Sequence, residues 1–314
     1  MSAFEGAGQV VLSLLGVLLL VLGGRAEGAD GLEFSKGVRL LVQARPAGGE
    51  EKGRATIFRA SVAAVADTCR QGTAWAASPR VRSTRVVGEA IARATRPPRV
   101  WLQAGTATTY AHRYDAPNDD VSGVLGGAEP DLPDTWRFSL DVAHRWEAAQ
   151  EEAATPHTRK TILRSAMVMS VDRGGVFDTL LGLAQCRLGD QDGDGRQYVS
   201  WIHAQDFVRA VRFLLGDGGL VGPVNLAAPN PLPNAAFMRA LRDAAGVQVG
   251  LPATEWMLEI GARLLSTETE LILKSRYVIP RRLIEAGFAF EYPDWPQAAQ
   301  DLCRRARVPA VKPQ

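Results

Sequence analysis

Between residues 83 and 227 the chain repeats one alternation: a long amphipathic stretch, a short apolar run, then a loop of small and polar residues. A parallel strand is covered on both faces and reads as an unbroken apolar run. The helix that carries the chain back across the sheet shows its apolar side chains at 3.6-residue spacing. Ser83 stands as an N-cap before Val87, Ala90, Ile91 and Ala94, which share one helical face, and Pro97-Pro98 stops the pattern. Arg99 to Ala104 (RVWLQA) is then expected as a buried strand, followed by Gly105-Thr106-Ala107-Thr108-Thr109-Tyr110. After a loop rich in Asp, Gly and Pro, a helix is expected from about Thr135 to Ala153, and a strand over Lys160 to Ser170. Helix, strand, loop, helix, strand is the order of parallel α/β layers.

The rhythm continues and then loses its strands. Tyr198 to Ile202 reads as a strand, Ala204 to Leu215 as a helix, Pro223 to Ala227 as a short strand, and Asn234 as the cap of a helix ending at Gly246. Beyond Pro252 the segments Glu255 to Leu265, Glu268 to Ser275, Arg281 to Ala286 and Trp295 to Arg304 are helical in pattern. The pattern is that of parallel α/β layers with a mostly helical cap after them.

The N-terminal 82 residues are atypical. Val10 to Leu22 is an apolar run broken only by Ser13 and Gly16, shorter than the roughly 20 residues a membrane span needs. Three readings stay open: a buried strand entering the Gly23-Gly24 turn, a secretory signal or anchor, or a start without regular structure. A signal would carry a basic n-region, whereas the residues before this run hold Glu5 and no Lys or Arg. Val38 to Val42 reads as a second strand, ending near Arg45, and residues 46–82 show neither a sustained helical period nor a clear strand. A glycine turn after one strand and a basic residue after the next is the layout by which a dinucleotide site cradles pyrophosphate and meets an adenosine 2′-phosphate. Gly23, Gly24 and Gly28 are the candidate turn glycines and Arg45 the candidate phosphate contact. The run lacks the middle glycine of G-x-G-x-x-G.

Charge and the reactive residues exclude several functions. Thirty-six Lys and Arg against 34 Asp and Glu leave a formal +2, no footprint for nucleic acid. Cys69, Cys186 and Cys303 are odd in number and far apart, which points to a reducing, cytoplasmic setting; secretion or tethering through residues 10–22 is the alternative. His112, His144, His157 and His203 include no pair at metal-ligand spacing, so no metal site is expected. Asp190 to Gly195 (DQDGDG) opens like a calcium loop, but the twelfth position is Trp201 where a bidentate Glu is required. His203 and Asp206, at a strand-to-helix junction, are expected to tie the helix start to nearby backbone.

Several segments in order carry a family likeness: TRVVGEAIARATRPPRVWLQAGTATTYAHRYDAPND, DTWRFSLDVAHRWE, LRSAMVMSVDRGGVFDTLL, GRQYVSWIHAQDFVRAVRFLL, GPVNLAAPNPLPNAAFMRAL and TELILKSRYVIPRRLIEAGFAFEYPDW. Over Ser83 to Arg305 the chain resembles the atypical extended short-chain dehydrogenase/reductases, the nucleoside-diphosphate-sugar epimerase-like proteins with a C-terminal domain of unknown function. The resemblance implies an α/β fold, a Rossmann-like doubly wound parallel sheet over residues 1–228 with a small mostly helical C-terminal domain over 229–314, NAD or NADP bound at the carboxyl ends of the strands, and a small-molecule substrate, a nucleotide sugar being one class, under the C-terminal part. It implies that Thr106 is the hydroxyl residue that hydrogen-bonds a substrate oxygen. The family's base is a tyrosine acidified by a lysine four residues later, a cation favouring the phenolate. No tyrosine here is followed at that spacing by lysine; in DTWRFSLDVAHRWE the register set by Glu147 puts Ser139 and Ala143 at the two places, which leaves Tyr110 as the nearby candidate phenol. Two functions follow: an NAD(P)-dependent epimerase or oxidoreductase, or a catalytically inactive Rossmann-like binding or sensor module.

Overall fold

The computed structural model describes residues 38–42, 56–60, 79–130, 132, 134–187, 195–216, 219–247 and 275–307. In chain order these form β1 (Val38–Val42), β2 (Thr56–Ala60), α1 (Pro79–Ala92), β3 (Val100–Thr106), a 3-10 turn (Ala107–Thr109), α2 (Asp134–Glu151), β4 (Arg159–Ser165) and β5 (Met167–Met169). There follow α3 (Val176–Gln185), β6 (Tyr198–Val199), β7 (Trp201–His203), α4 (Ala204–Leu215), β8 (Gly222–Leu226), β9 (Leu232–Pro233), α5 (Asn234–Ala245), α6 (Arg281–Glu285) and α7 (Trp295–Arg307).

The central layer is the parallel sheet β3-β4-β8, with Thr106 opposite Ser165 and Arg164 opposite both Gly105 and Asn225. Its two faces are chemically different because side chains alternate along each strand. Val100, Leu102, Leu163, Val224 and Leu226 form one apolar core with Ala210, Val211 and Leu214 of α4 and with Leu283 of α6. On the other face Trp101 packs against Val87 and Ile91 of α1. Gly88 permits that approach: a Cβ there would stand 2.8 Å from the Ala153 Cβ and 3.4 Å from the Trp101 ring. β5 and β7 extend the parallel arrangement as a separate pair, Met167 opposite Trp201.

A further core joins the parts that the sequence divides at 228/229. Met169, Phe177, Leu181 and Trp201 pack with Phe237, Leu241, Trp295 and Leu302. Trp295 stacks on Phe237 at 4.0 Å and donates its indole N–H to the Phe237 carbonyl at 2.8 Å, so the large ring is buried with its polar atom satisfied.

Several expectations change in detail. Val38–Val42 is a strand, but it pairs antiparallel with β2 in a two-stranded sheet of its own, so it is not a second strand of the central parallel sheet. A strand at Thr56–Ala60 lies inside the segment that showed no legible pattern. Ser83 is not a cap: α1 begins at Pro79, and the Ser83 hydroxyl donates back to the Arg80 carbonyl. The single strand expected over 160–170 breaks after Ser165. Asn234 opens α5 from inside the helix, where the N-cap is Pro233, while Gly246 ends it in the left-handed region at φ 78°, as glycine readily does. The segments 255–265 and most of 268–275, and the acidic loop 190–194, lie outside the described residues. No helix among the described residues is long and apolar enough to cross a membrane, and Val10 to Leu22 lies outside them.

Candidate functional site

In open parallel α/β sheets, ligands bind outside the carboxyl ends of the strands. β3 ends there in Thr106. The Thr106 hydroxyl donates to the Thr108 hydroxyl at 3.0 Å and accepts the Thr108 N–H at 3.2 Å, which turns the chain into the 3-10 segment. Thr106 and its ladder partner Ser165 are both half-buried, so two neighbouring strands end in uncharged hydroxyls.

One row below, the face toward α2 is polar. Gly105, Arg164 and Asn225 lie side by side across the three strands, and Gly105 has no room for a side chain: a Cβ would be 2.9 Å from the Ile162 methyl and 3.1 Å from the Leu163 carbonyl. Arg164 is buried. It meets Glu147 of α2 in a two-pronged ion pair, Nε to Oε1 at 2.9 Å and Nη2 to Oε2 at 2.7 Å, and its Nη1 donates to the Tyr110 oxygen at 3.0 Å. Burial alone would weaken the guanidinium as a base, but the hydrogen bonds and charge of Glu147, with Tyr110, hold its pKa above the ordinary value.

Tyr110 is buried against Ala107, Ala166, Ala227 and Val278. Its hydroxyl donates to Asn225 Oδ1 at 2.9 Å, so the phenol oxygen faces the protein on both sides. Burial pushes its pKa above the usual 10.0, against the opposing pull of Arg164, and the group stays protonated at neutral pH. Asn225 in turn donates to the Ile279 carbonyl at 3.0 Å, while its N–H goes to Asp120 at 2.9 Å. Asp120 also accepts the Arg282 N–H at 3.0 Å, and burial lifts its carboxyl above the ordinary range. Asn118 N–H donates to the Tyr277 carbonyl at 2.7 Å and the Asn118 carbonyl accepts the Ile279 N–H at 3.1 Å, while the Ser200 hydroxyl bonds the backbone of Arg276 and Val278. Residues 275–282 are therefore tied to β8 and to the loop residues Asn118, Asp120 and Ser200, and Val278 packs with Ala107, Ala166 and Ala227 just beyond the strand ends.

A second buried cluster, at the end of β7, has a different character. His203 Nδ1 accepts the Gln205 N–H at 3.1 Å and caps α4, its ring stacks on Tyr292 at 4.0 Å, and its Nε2 stands 3.4 Å from Asp301 of α7. Asp206 accepts the N–H groups of Glu291 and Tyr292 and a 2.6 Å bond from Arg209. Both side chains tie the helix start to nearby backbone, as their positions in the sequence suggest. Desolvation holds the His203 pKa below its usual value even though Asp301 pulls the other way. Among the described residues no group of three or more His, Cys, Asp and Glu is placed to hold a metal ion.

Of the residues singled out from sequence, the structure brings Thr106 and Tyr110 together at this edge, and Gly23, Gly24, Gly28 and Arg45 lie outside the described residues. Sequence reasoning missed Arg164 as a site residue and used Glu147 only to set a register. A charge inside the otherwise apolar run ILRSAMVM demands a buried partner, and that was the available signal.

Several known proteins are similar to this chain. The model of a domain of unknown function, DUF1731, matches residues 253–302. An epimerase family protein of Staphylococcus aureus (strain N315) is 26% identical over 226 residues, 72% of this chain and 71% of its own. The crystal structure of a human epimerase family protein, SDR39U1, with NADPH is 26% identical with a TM-score of 0.62, covering 72% of each chain. A dTDP-glucose 4,6-dehydratase from Bacillus anthracis in complex with NAD, 15% identical with a TM-score of 0.53 over 72% of this chain and 67% of its own, shares the fold. With its parallel α/β sheet, a C-terminal segment that matches DUF1731 and these similar proteins, the chain resembles the epimerase-like proteins among the atypical extended short-chain dehydrogenase/reductases.

Proposed function

We propose that the protein is an NAD(P)-binding, epimerase-like protein whose ligand site is the carboxyl edge formed by Thr106 and Ser165. The observation that carries this is the paired ending of two buried parallel strands in half-buried hydroxyls, in a chain whose relative of known structure is described with NADPH. Uncharged donors and acceptors suit the amide and ribose end of a nicotinamide nucleotide, and the row beneath them carries no uncompensated charge, since Arg164 is matched by Glu147. When bound, the nicotinamide supplies or accepts hydride. Thr106 orients a substrate carbonyl or hydroxyl by hydrogen bonding. The phosphate end falls to Gly23, Gly24, Gly28 and Arg45, a proposal from sequence alone; stronger binding of NADPH than NADH is its test. The substrate is a small molecule, with nucleotide sugars the first class to assay. Cys186 is an exposed free thiol, and the compartment proposed is the reducing, cytoplasmic one expected from the cysteine pattern.

A second reading, binding without turnover, is favoured by two features: the register places Ser139 and Ala143 of α2 where a Tyr/Lys pair would stand, and the Tyr110 oxygen is enclosed by Arg164 and Asn225. Titration of the full chain with NADPH and NADH, followed by nicotinamide fluorescence, tests the first reading. Saturable binding supports it and its absence for both nucleotides overturns it. Binding with no hydride exchange across a panel of nucleotide sugars selects the sensor.

A further inference from the structure

The buried row beneath Thr106 is built from charge where apolar packing would hold the strands together as well. A buried ion pair is seldom worth more than a hydrophobic replacement of equal volume, because two ions must be stripped of water. What such a pair does supply is direction. The guanidinium fork is planar, so its two bonds to Glu147 leave Nη1 aimed at one point, the Tyr110 oxygen. The phenol proton is then committed to Asn225 Oδ1, and the Asn225 amide cannot turn because its Nδ2 is bonded to the Ile279 carbonyl.

The geometry points to a clamp: we propose that Arg164, held by Glu147, fixes Tyr110 as a positioning residue and through it sets the direction of the Thr106 hydroxyl. Four links close a ring. Thr106 is the ladder partner of Ser165, Ser165 adjoins Arg164, Arg164 binds the Tyr110 oxygen, and the Tyr110 N–H returns to the Ala107 carbonyl at 3.3 Å beside Thr106. The segment from Thr106 to Tyr110 is thus fastened to β4 at both ends. Gly123 clears the space for the ring: a Cβ there would be 2.7 Å from it. The clamp also reaches residues 275–282 through Asn225, so the C-terminal segment and the Thr106 turn are set by the same hydrogen bonds. Its importance for ligand binding rests on the function proposed above, while its existence does not.

The test is methyl NMR of the full chain with the Thr106 methyl assigned, together with NADPH titration. Tyr110→Phe keeps the ring but removes both hydrogen bonds of the oxygen. It is expected to move the Thr106 methyl signal and to weaken NADPH binding about tenfold, the size of one charge-assisted hydrogen bond. Trp295→Phe, which removes the indole bond to Phe237 in the core shared with Met169 and Phe177, is expected to lower thermal stability while leaving the Thr106 signal and NADPH affinity unchanged. If Tyr110→Phe does not fold, Arg164→Lys serves instead, because a single ammonium cannot reproduce the two-pronged bond and the third contact together. An unmoved Thr106 signal in the clamp variant, or an equal movement in Trp295→Phe, overturns the clamp. Wild-type protein that ignores NADPH, with the Thr106 signal still moved by Tyr110→Phe, overturns the ligand reading and leaves the clamp standing.

Discussion

Replacing Glu147 with Gln isolates what the buried ion pair does for stability. The substitution keeps the shape of the side chain but removes the charge that compensates Arg164, whose side chain is only 9% exposed, against 12% for Glu147. Two charge-assisted hydrogen bonds at 2.9 and 2.7 Å are lost or weakened, and the guanidinium is left in a site that solvent hardly reaches. Breaking one partner of a buried pair in this way costs about 3–5 kcal/mol. For a domain of this size, each kcal/mol lowers the melting temperature by roughly 2–4 °C, so a fall of about 10 °C is expected. Urea denaturation followed by tryptophan fluorescence measures the difference as a shift in midpoint at unchanged slope. The companion is Glu147→Leu with Arg164→Met, which removes both charges and is expected to recover most of the loss. A loss below about 1 kcal/mol for Glu147→Gln, on the scale of an exposed pair, would refute the claim that this pair is buried and directional.

Two other predictions concern packing and pH. Gly105→Ala forces a Cβ to within 2.9 Å of the Ile162 methyl and 3.1 Å of the Leu163 carbonyl, and because the latter is backbone within the ladder it cannot yield; a cost of about 1–3 kcal/mol is expected in the same denaturation assay. His203 has a folded pKa below its ordinary 6.5, so above that pH it is neutral in both states; as the pH falls below 6.5 the unfolded chain takes up the proton first and stability declines. The carboxyl of Asp301, held below 3.8 by hydrogen bonding from Arg304 and the charges of Arg305 and His203 in spite of burial, loses its contribution only in a lower, separate window. Melting temperatures between pH 8 and pH 5 are therefore expected to fall in the wild type and to fall less in His203→Gln, and equal slopes would contradict the assignment.

Much of the architecture was legible because burial imposes period on sequence. α4 matches its expected bounds, Ala204–Leu215, since Phe207, Val211 and Leu214 recur at helical spacing and His203 marks the start. β3 and β8 fall within two residues of expectation for the same reason. Starts were less legible than interiors: Ser83 sits inside α1 because Pro79 can open a helix with no N–H to satisfy. Strand partners were not legible at all, and β1 shows why, since an apolar five-residue run fits a hairpin as readily as a parallel sheet. At the candidate site, Thr106 was reached through the family likeness at the end of an expected strand, and it is the last residue of β3. The clamp could not, because Gly105, Arg164 and Asn225 come from three separate strands and become neighbours only through the ladder register.

The most direct measurement of the central claim is the affinity of NADPH for wild-type protein and for Thr106→Val, a substitution that removes the hydroxyl while keeping the branched shape. Saturable binding to the wild type that weakens on loss of the Thr106 hydroxyl is the expected result. Equal affinity in the two proteins, or no saturation in either, would mean that the carboxyl edge of β3 is not where a nicotinamide nucleotide binds.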